Sequence, residues 1–244
     1  MPVPDLAIVI PAYNEALRIE ATLREVSTYL RASAWEWEIR VVDDGSADRT
    51  AEIVLSAARE EPRIHLQREP HRGKGGAVTA GLLASRARFR FLCDADLSMP
   101  IRELSRFLPP QLADADVAIG TREGVGSRRV GEPWIRHAAG RAFNTIVRKT
   151  MVPGVQDTQC GFKMFTGHAA ETIFPRVTVQ GWAFDIEVLY IARLRGLRIR
   201  EVPIEWHYRA DSRLRMMRDG AGMMKELLQV RARARRGDYT SGAG

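Results

Sequence analysis

Four times in the first hundred residues a short apolar run ends in polar or glycine-rich residues and gives way to a segment with helical spacing. LAIVI (6–10) runs into Pro11-Ala12-Tyr13-Asn14-Glu15, and EIRVV (38–42) into Asp43-Asp44-Gly45-Ser46. RIHLQ (63–67) is followed by Arg72-Gly73-Lys74-Gly75-Gly76, and FRFLC (89–93) by Asp94-Ala95-Asp96. Buried strands alternating with helices at this interval call for an open, mostly parallel α/β sheet, since parallel neighbours need a crossover long enough to hold a helix. Ligands of such sheets bind beyond the carboxyl ends of the strands. Asp and Ser are also ordinary helix caps, but four such turns converging on one sheet edge exceed what capping requires.

The intervening helices are expected from about Glu15 to Leu30, Ala47 to Ala58, a glycine start through Leu83, and Ile101 to Leu112, with DVAIG (116–120) as a fifth strand. Further on, Trp134 to Lys149 reads as a helix, VPGVQDTQCG as a loop leading into a strand FKMF, and Phe184 to Arg195 as a helix. IREVPIEWHY reads as one strand whose Pro203 marks an edge or bulge. A basic amphipathic helix from about Leu214 to Arg235 and a frayed GDYTSGAG tail close the chain. With no internal repeat or linker, one domain over 1–208, with halves 1–120 and 121–208, precedes a basic helix and tail over 209–244.

Charge separates the halves. Residues 1–120 carry 15 basic and 18 acidic side chains, residues 121–244 carry 22 and 12, and 33 of the 37 basic residues are Arg. A GC-rich genome accounts for part of the arginine, but not for its placement. A basic second half implies an anionic partner: phosphate, membrane surface or nucleic acid. No run reaches the 18 or so apolar residues of a spanning helix. The N-terminus lacks the basic start of a signal peptide, and two cysteines, Cys93 and Cys160, are too few for a disulfide framework. A reducing cytosol is the expected compartment.

Two carboxylates flanking a small residue at a strand end, Asp94 and Asp96, suit a hard divalent cation, Mg²⁺ or Mn²⁺, that keeps phosphate and water among its ligands. Arg72-Gly73-Lys74-Gly75-Gly76 is not a P-loop, because Gly75 follows Lys74 where Ser or Thr is required. A Gly-rich helix start with one Lys remains, suited to an anion. The dinucleotide fingerprint is missing from the first turn, which argues against a dehydrogenase. His65, His137, His168 and His207 lack metal-ligand spacing, Trp35 and Trp37 read as packing, and Cys160 has no adjacent base.

PAYNE, DDGS, RGKGGA and DAD, in this order and spacing, resemble glycosyltransferase family 2, the GT-A fold enzymes. Asp157-Thr158-Gln159-Cys160-Gly161-Phe162-Lys163 and Gly181-Trp182-Ala183-Phe184-Asp185-Ile186-Glu187 are similar to the dolichyl-phosphate β-glucosyltransferase branch and its bacterial relatives, over residues 6 to about 235. The resemblance implies a GT-A fold, a Rossmann-like sheet with flanking helices, and a nucleotide-sugar donor bound by Pro11, Tyr13, Glu15, Asp43, Asp44, Lys74 and Asp94. Asp94 and Asp96 would hold the metal, and Asp157 would join Asp96 in catalysis near the reacting phosphates. Arg122, Arg128, Arg129, Arg136 and Arg141, after the fifth strand, would take the acceptor phosphate. Eukaryotic members carry an N-terminal membrane helix that this sequence does not show, so the implied acceptor is a bacterial polyprenyl phosphate.

The expected reaction inverts the anomeric carbon, moving glucose from UDP-glucose to a polyprenyl phosphate at the cytoplasmic face of the membrane, with the enzyme peripherally attached. The alternatives are mannose from GDP-mannose and a non-lipid acceptor. A nucleotidyltransferase would need a basic Gly-rich turn where PAYNE stands, and a nucleic-acid binder would leave the strand-end carboxylates unexplained.

Overall fold

β1 (Leu6–Ala12) is the hub of the sheet: residues 6 to 10 are fully buried, and it pairs in parallel with β2 (Trp37–Asp43) and β4 (Phe89–Cys93). The computed structural model describes residues 3–133, 141, 144–145, 147–208 and 216–240. β3 (Ile64–Arg68) extends the parallel array beyond β2. On the other side β7 (Phe162–Thr166) runs antiparallel between β4 and β5 (Val117–Thr121), and β8 (Ile199–Pro203) lies parallel to β5 at the edge. The seven strands run β3-β2-β1-β4-β7-β5-β8, so every strand but β7 points the same way and the polar turns of β1, β2 and β4 meet at one edge.

α1 (Ile19–Arg31), α2 (Thr50–Glu60) and α3 (Lys74–Ala84) are the crossovers. α1 buries Ile19, Leu23, Val26 and Leu30, a helical stripe, while its charged face stays in water. Later in the chain come α4 (Gly167–Ile173), capped by the Thr166 hydroxyl on Ala169 N, α5 (Phe184–Leu194) and α6 (Met216–Arg235). α6 inserts Met223, Leu227 and Val230 into the same core as the sheet.

Several elements differ from the sequence expectation, each for a local reason. α1 starts at Ile19 because Glu15 N donates to Thr50 Oγ1 and its carboxylate pairs with Arg18. α2 starts at Thr50 because the Ala47 amide goes to Asn14 Oδ1 instead of entering a helix. The expected helix 101–112 is a 3₁₀ segment, Ile101–Phe107, stopped before Pro109-Pro110, which lack the N–H a helix needs. IREVPIEWHY is two strands: after Pro203 the chain leaves the main sheet and β9 (Glu205–His207) pairs with β6 (Arg128–Val130). β6 and α4 were not foreseen. The expected helix 134–149 falls largely outside the described residues, although residues 147–150 are helical. The tail is not frayed up to Thr240: Tyr239 is 1% exposed and its hydroxyl donates to Glu187 Oε1 at 2.6 Å.

Candidate active site

A cleft of about 360 Å³ opens where the carboxyl ends of β1, β2 and β4 meet the N-terminus of α3. Pro11, Tyr13 and Glu15 line it from β1's turn, Asp44 from β2's, Asp94 and Asp96 from β4's, and Lys74 from α3. Asp43 is not among the lining residues; its Oδ1 accepts from Ser46 N and closes its own turn.

Asp44 organises the turn before α3. Its Oδ1 accepts from Arg72 N at 2.8 Å, and its Oδ2 from Gly73 N at 2.9 Å and from His71 Nδ1 at 2.8 Å. His71 Nδ1 also faces the Asp44 carbonyl at 3.0 Å, so with two acceptors before it this nitrogen carries the proton. The imidazole stacks on Tyr13, with centroids 4.2 Å apart and planes 17° apart. The two rings form an aromatic wall of the cleft. Gly73 has φ +101, and a Cβ there would meet the Gln180 carbonyl at 2.7 Å. Only glycine lets α3 start against the 179–184 segment, which brings Trp182 to the cleft rim.

At the end of β4, Asp96 Oδ1 accepts from Ser98 N at 2.9 Å, and Thr22 Oγ1 of α1 ties the Ala95 carbonyl at 2.6 Å. Lys74 Nζ lies 2.7 Å from Asp94 Oδ1. Burial, then the Asp94 charge, push the Asp96 carboxyl up from its ordinary value. Two hard oxygen donors that repel each other suit a divalent cation. Among the described residues no third His, Cys, Asp or Glu completes a metal cluster, so a divalent cation held there would take phosphate and water as its other ligands. The donor set fits Mg²⁺ or Mn²⁺ on those terms.

Asp157 lies behind this cleft, not in its lining. Its carboxylate takes Arg122 through Nε at 2.6 Å and Nη2 at 2.8 Å, and also accepts the Arg122 amide at 3.0 Å. Burial would raise its pKa, but Arg122 overrides this and holds it below the usual carboxylate range. Gly161, in the same loop, presses on Asp94: a Cβ there would fall 1.9 Å from its Oδ2. That contact is a physical reason for the glycine in DTQCG.

Of the five arginines expected to face the acceptor, Arg122 is held by Asp157, and Arg129 by Glu123, Glu132 and the Arg122 carbonyl. Their charge is already balanced. Arg128 is exposed, with Glu205 at 3.9 Å, and Arg141 is exposed. Arg136 lies outside the described residues. Cys160 is buried against Met99, its thiol pushed up to about 12 chiefly by burial, so it is inert. His71 and Arg18 also line the cleft, and neither is among the site residues expected from the sequence. An imidazole directly before RGKGG was the available signal for the first; the second had none.

A mostly parallel sheet whose strand ends gather an aromatic wall, a Gly-led helix start and a carboxylate pair has the form of a site for a phosphate-bearing ligand. The family profile described as glycosyl transferase family 2 matches residues 7–174. A dolichyl-phosphate beta-glucosyltransferase of Trichomonas vaginalis is 38% identical, over 95% of this chain and 72% of its own length. Enzymes of the same name from Saccharomyces cerevisiae (32%, 93% and 74%) and Homo sapiens (31%, 99% and 78%) are similar to it as well. Among solved structures, glucosyl-3-phosphoglycerate synthase from Mycobacterium tuberculosis in complex with UDP superposes with a TM-score of 0.65 at 19% identity, covering 93% of this chain and 78% of that one. The same synthase with Mn²⁺ and UDP-glucose gives 0.63 at 18% identity, covering 93% and 77%. The chain belongs to glycosyl transferase family 2 and is a glycosyltransferase of the GT-A fold.

Proposed function

We propose that the chain transfers glucose from UDP-glucose to the phosphate of a polyprenyl lipid, inverting an α-linked donor to a β-linked product. The carrying observation is the convergence of Lys74, Asp94 and Asp96 beside the Tyr13–His71 ring pair in one cleft. The relatives named above suggest the sugar and the acceptor class.

In this reading the base packs on the ring pair, with Pro11 and Glu15 beside it and Asp43 and Asp44 shaping the turns below. Lys74 and the α3 N-terminus face the diphosphate. Asp94 and Asp96 would hold a divalent cation, Mg²⁺ or Mn²⁺, which would supply Lewis-acid neutralisation of the leaving diphosphate. The acceptor needs no strong base, because a phosphate monoester with a second pKa of about 6 is largely dianionic at neutral pH. The low pKa of Asp157 agrees, since a carboxylate locked to Arg122 is a poor proton acceptor. Asp157 instead orients Arg122, while exposed Arg128 and Arg141, with Arg136, draw in the acceptor phosphate.

The lipid tail requires a membrane surface, and the reading places the enzyme on the cytoplasmic face as a peripheral protein. No helix among the described residues is long and apolar enough to cross a membrane. On α6, Leu228 is 62% exposed, beside a run of arginines from Arg231 to Arg236. Such a face suits an anionic surface.

The test is incubation of purified protein and polyprenyl phosphate with labelled UDP-glucose or GDP-mannose. A lipid-extractable product from UDP-glucose, lost in EDTA and restored by Mg²⁺ or Mn²⁺, is expected. A product from GDP-mannose alone would reverse the donor assignment, and full activity in EDTA would remove the metal.

A further inference from the structure

Asp94, one of the two carboxylates at the end of β4, already holds a cation. Lys74 Nζ lies 2.7 Å from Asp94 Oδ1, with both side chains mostly out of solvent, at 20% and 26% exposure. Gly161 is packed so close to Asp94 Oδ2 that no side chain fits between them, which crowds the other oxygen of this carboxylate. Two cations on one half-buried carboxylate repel each other strongly.

Lys74 also stands among further anions. Asp185 and Asp96 add their negative charge to that of Asp94 around the ammonium. Asp185, in the first turn of α5, is fixed by a fully buried ion pair with Lys163, whose ammonium also reaches the Cys160 carbonyl. The rings of Trp182 and Phe184 flank Lys74 Nζ at 5.8 and 6.0 Å, faces that favour a cation. Leaving Asp94 Oδ1 therefore does not leave the ammonium without electrostatic support.

We propose that Lys74 and the divalent ion compete for Asp94 Oδ1, so that the ion is held tightly only when a nucleoside diphosphate draws the Lys74 ammonium off that oxygen. The inference rests on the reading of Asp94 and Asp96 as ion ligands and of the donor as a nucleoside diphosphate sugar. The diphosphate brings oxygens for both cations, which turns their competition into cooperation. Nucleotide and ion then raise each other's affinity by the same factor. Lys74 thus acts on binding order as well as on the diphosphate.

The test counts free Mn²⁺ by its EPR signal during titration of the full chain, with and without UDP or GDP, independently of turnover. Lys74→Gln is expected to bind Mn²⁺ alone about tenfold more tightly than the wild type, and to lose most of the extra affinity that nucleotide confers. Lys74→Met, equally uncharged, serves if the Gln variant does not fold. Arg18→Gln removes one positive charge from the same cleft, where its guanidinium pairs with Glu15. It should stay within about twofold of wild type, since contact rather than the general field is the cause. Mn²⁺ affinity in the Lys74 variants equal to or weaker than wild type, or an equal gain in Arg18→Gln, overturns the competition. Affinity unchanged in Asp96→Ala overturns the ion site itself, and the competition with it.

Discussion

Arg122 commits one edge of its guanidinium, Nε and Nη2, to Asp157 and lies 5.3 Å from the centre of the Trp206 ring. Removing one charge from such a pair leaves the other buried and uncompensated, so Asp157→Asn should destabilise the fold by about 3 kcal/mol in urea denaturation. Because Arg122 keeps Asp157 ionised well below neutrality, the acidic limb of the activity profile belongs to another group. Asp157→Asn should therefore lower kcat by about a hundredfold at every pH from about 5 to about 9, leaving that limb in place. A limb that vanishes in the variant would make Asp157 a true base. The double change Asp157→Leu with Arg122→Leu should recover much of the stability and none of the activity.

At the scale of elements, the joints between helices and strands carry much of the electrostatics. Glu61, just past α2 and 7% exposed, accepts Arg31 from the end of α1 and Arg63 from the residue before β3. Arg63 in turn lies 3.8 Å over the Trp37 ring of β2. Hydrogen bonds from Arg63, joined by Arg31 against the cost of burial, bring the Glu61 carboxyl down to about 2. A depressed carboxylate stabilises above its unfolded pKa, and the contribution fades as pH falls from about 4.5 through about 2. Discounted for the half-exposed arginines, Glu61→Gln should cost about 1–2 kcal/mol at neutral pH. The gap between wild-type and variant melting temperatures should narrow below about pH 4.5 and close only at about pH 2; a gap constant with pH would mean that packing, not charge, holds the joint.

For the whole molecule, the C-terminal segment is part of the core that supports the cleft. Glu187 of α5, fully buried, accepts from the Thr178 hydroxyl and amide, the Val179 amide and the Tyr239 hydroxyl. The strand of chain it holds leads directly to Gly181 and Trp182 at the cleft rim. Tyr239→Phe should cost about 1–2 kcal/mol in denaturant unfolding, since one bond to a buried carboxylate is lost, and Tyr239→Ala about 3 kcal/mol or more. Unchanged stability in both would mean that the tail only rests on α5. The outer face of α6 should act separately. Changing Arg231, Arg233, Arg235 and Arg236 together to Gln should weaken sedimentation with anionic liposomes and flatten its salt dependence. Equal binding across a salt series would move the membrane-facing role to the arginines between 122 and 141.

Strand positions, the parallel order and the polar turns were legible because buried strands write continuous apolar runs, and because function concentrates at their carboxyl ends. The motifs named the family for the same reason: DAD, RGKGG and DTQCG are local, and each keeps its chemistry within a few residues. Tertiary structure decided the rest. Only folding presses Gly161 onto Asp94, stacks His71 on Tyr13 and turns Arg122 from an expected phosphate ligand into the partner of Asp157. It also pins Tyr239 on Glu187, 52 residues away in sequence. Periodicity records which face of an element is buried, but not which partner will meet a charge or a ring there.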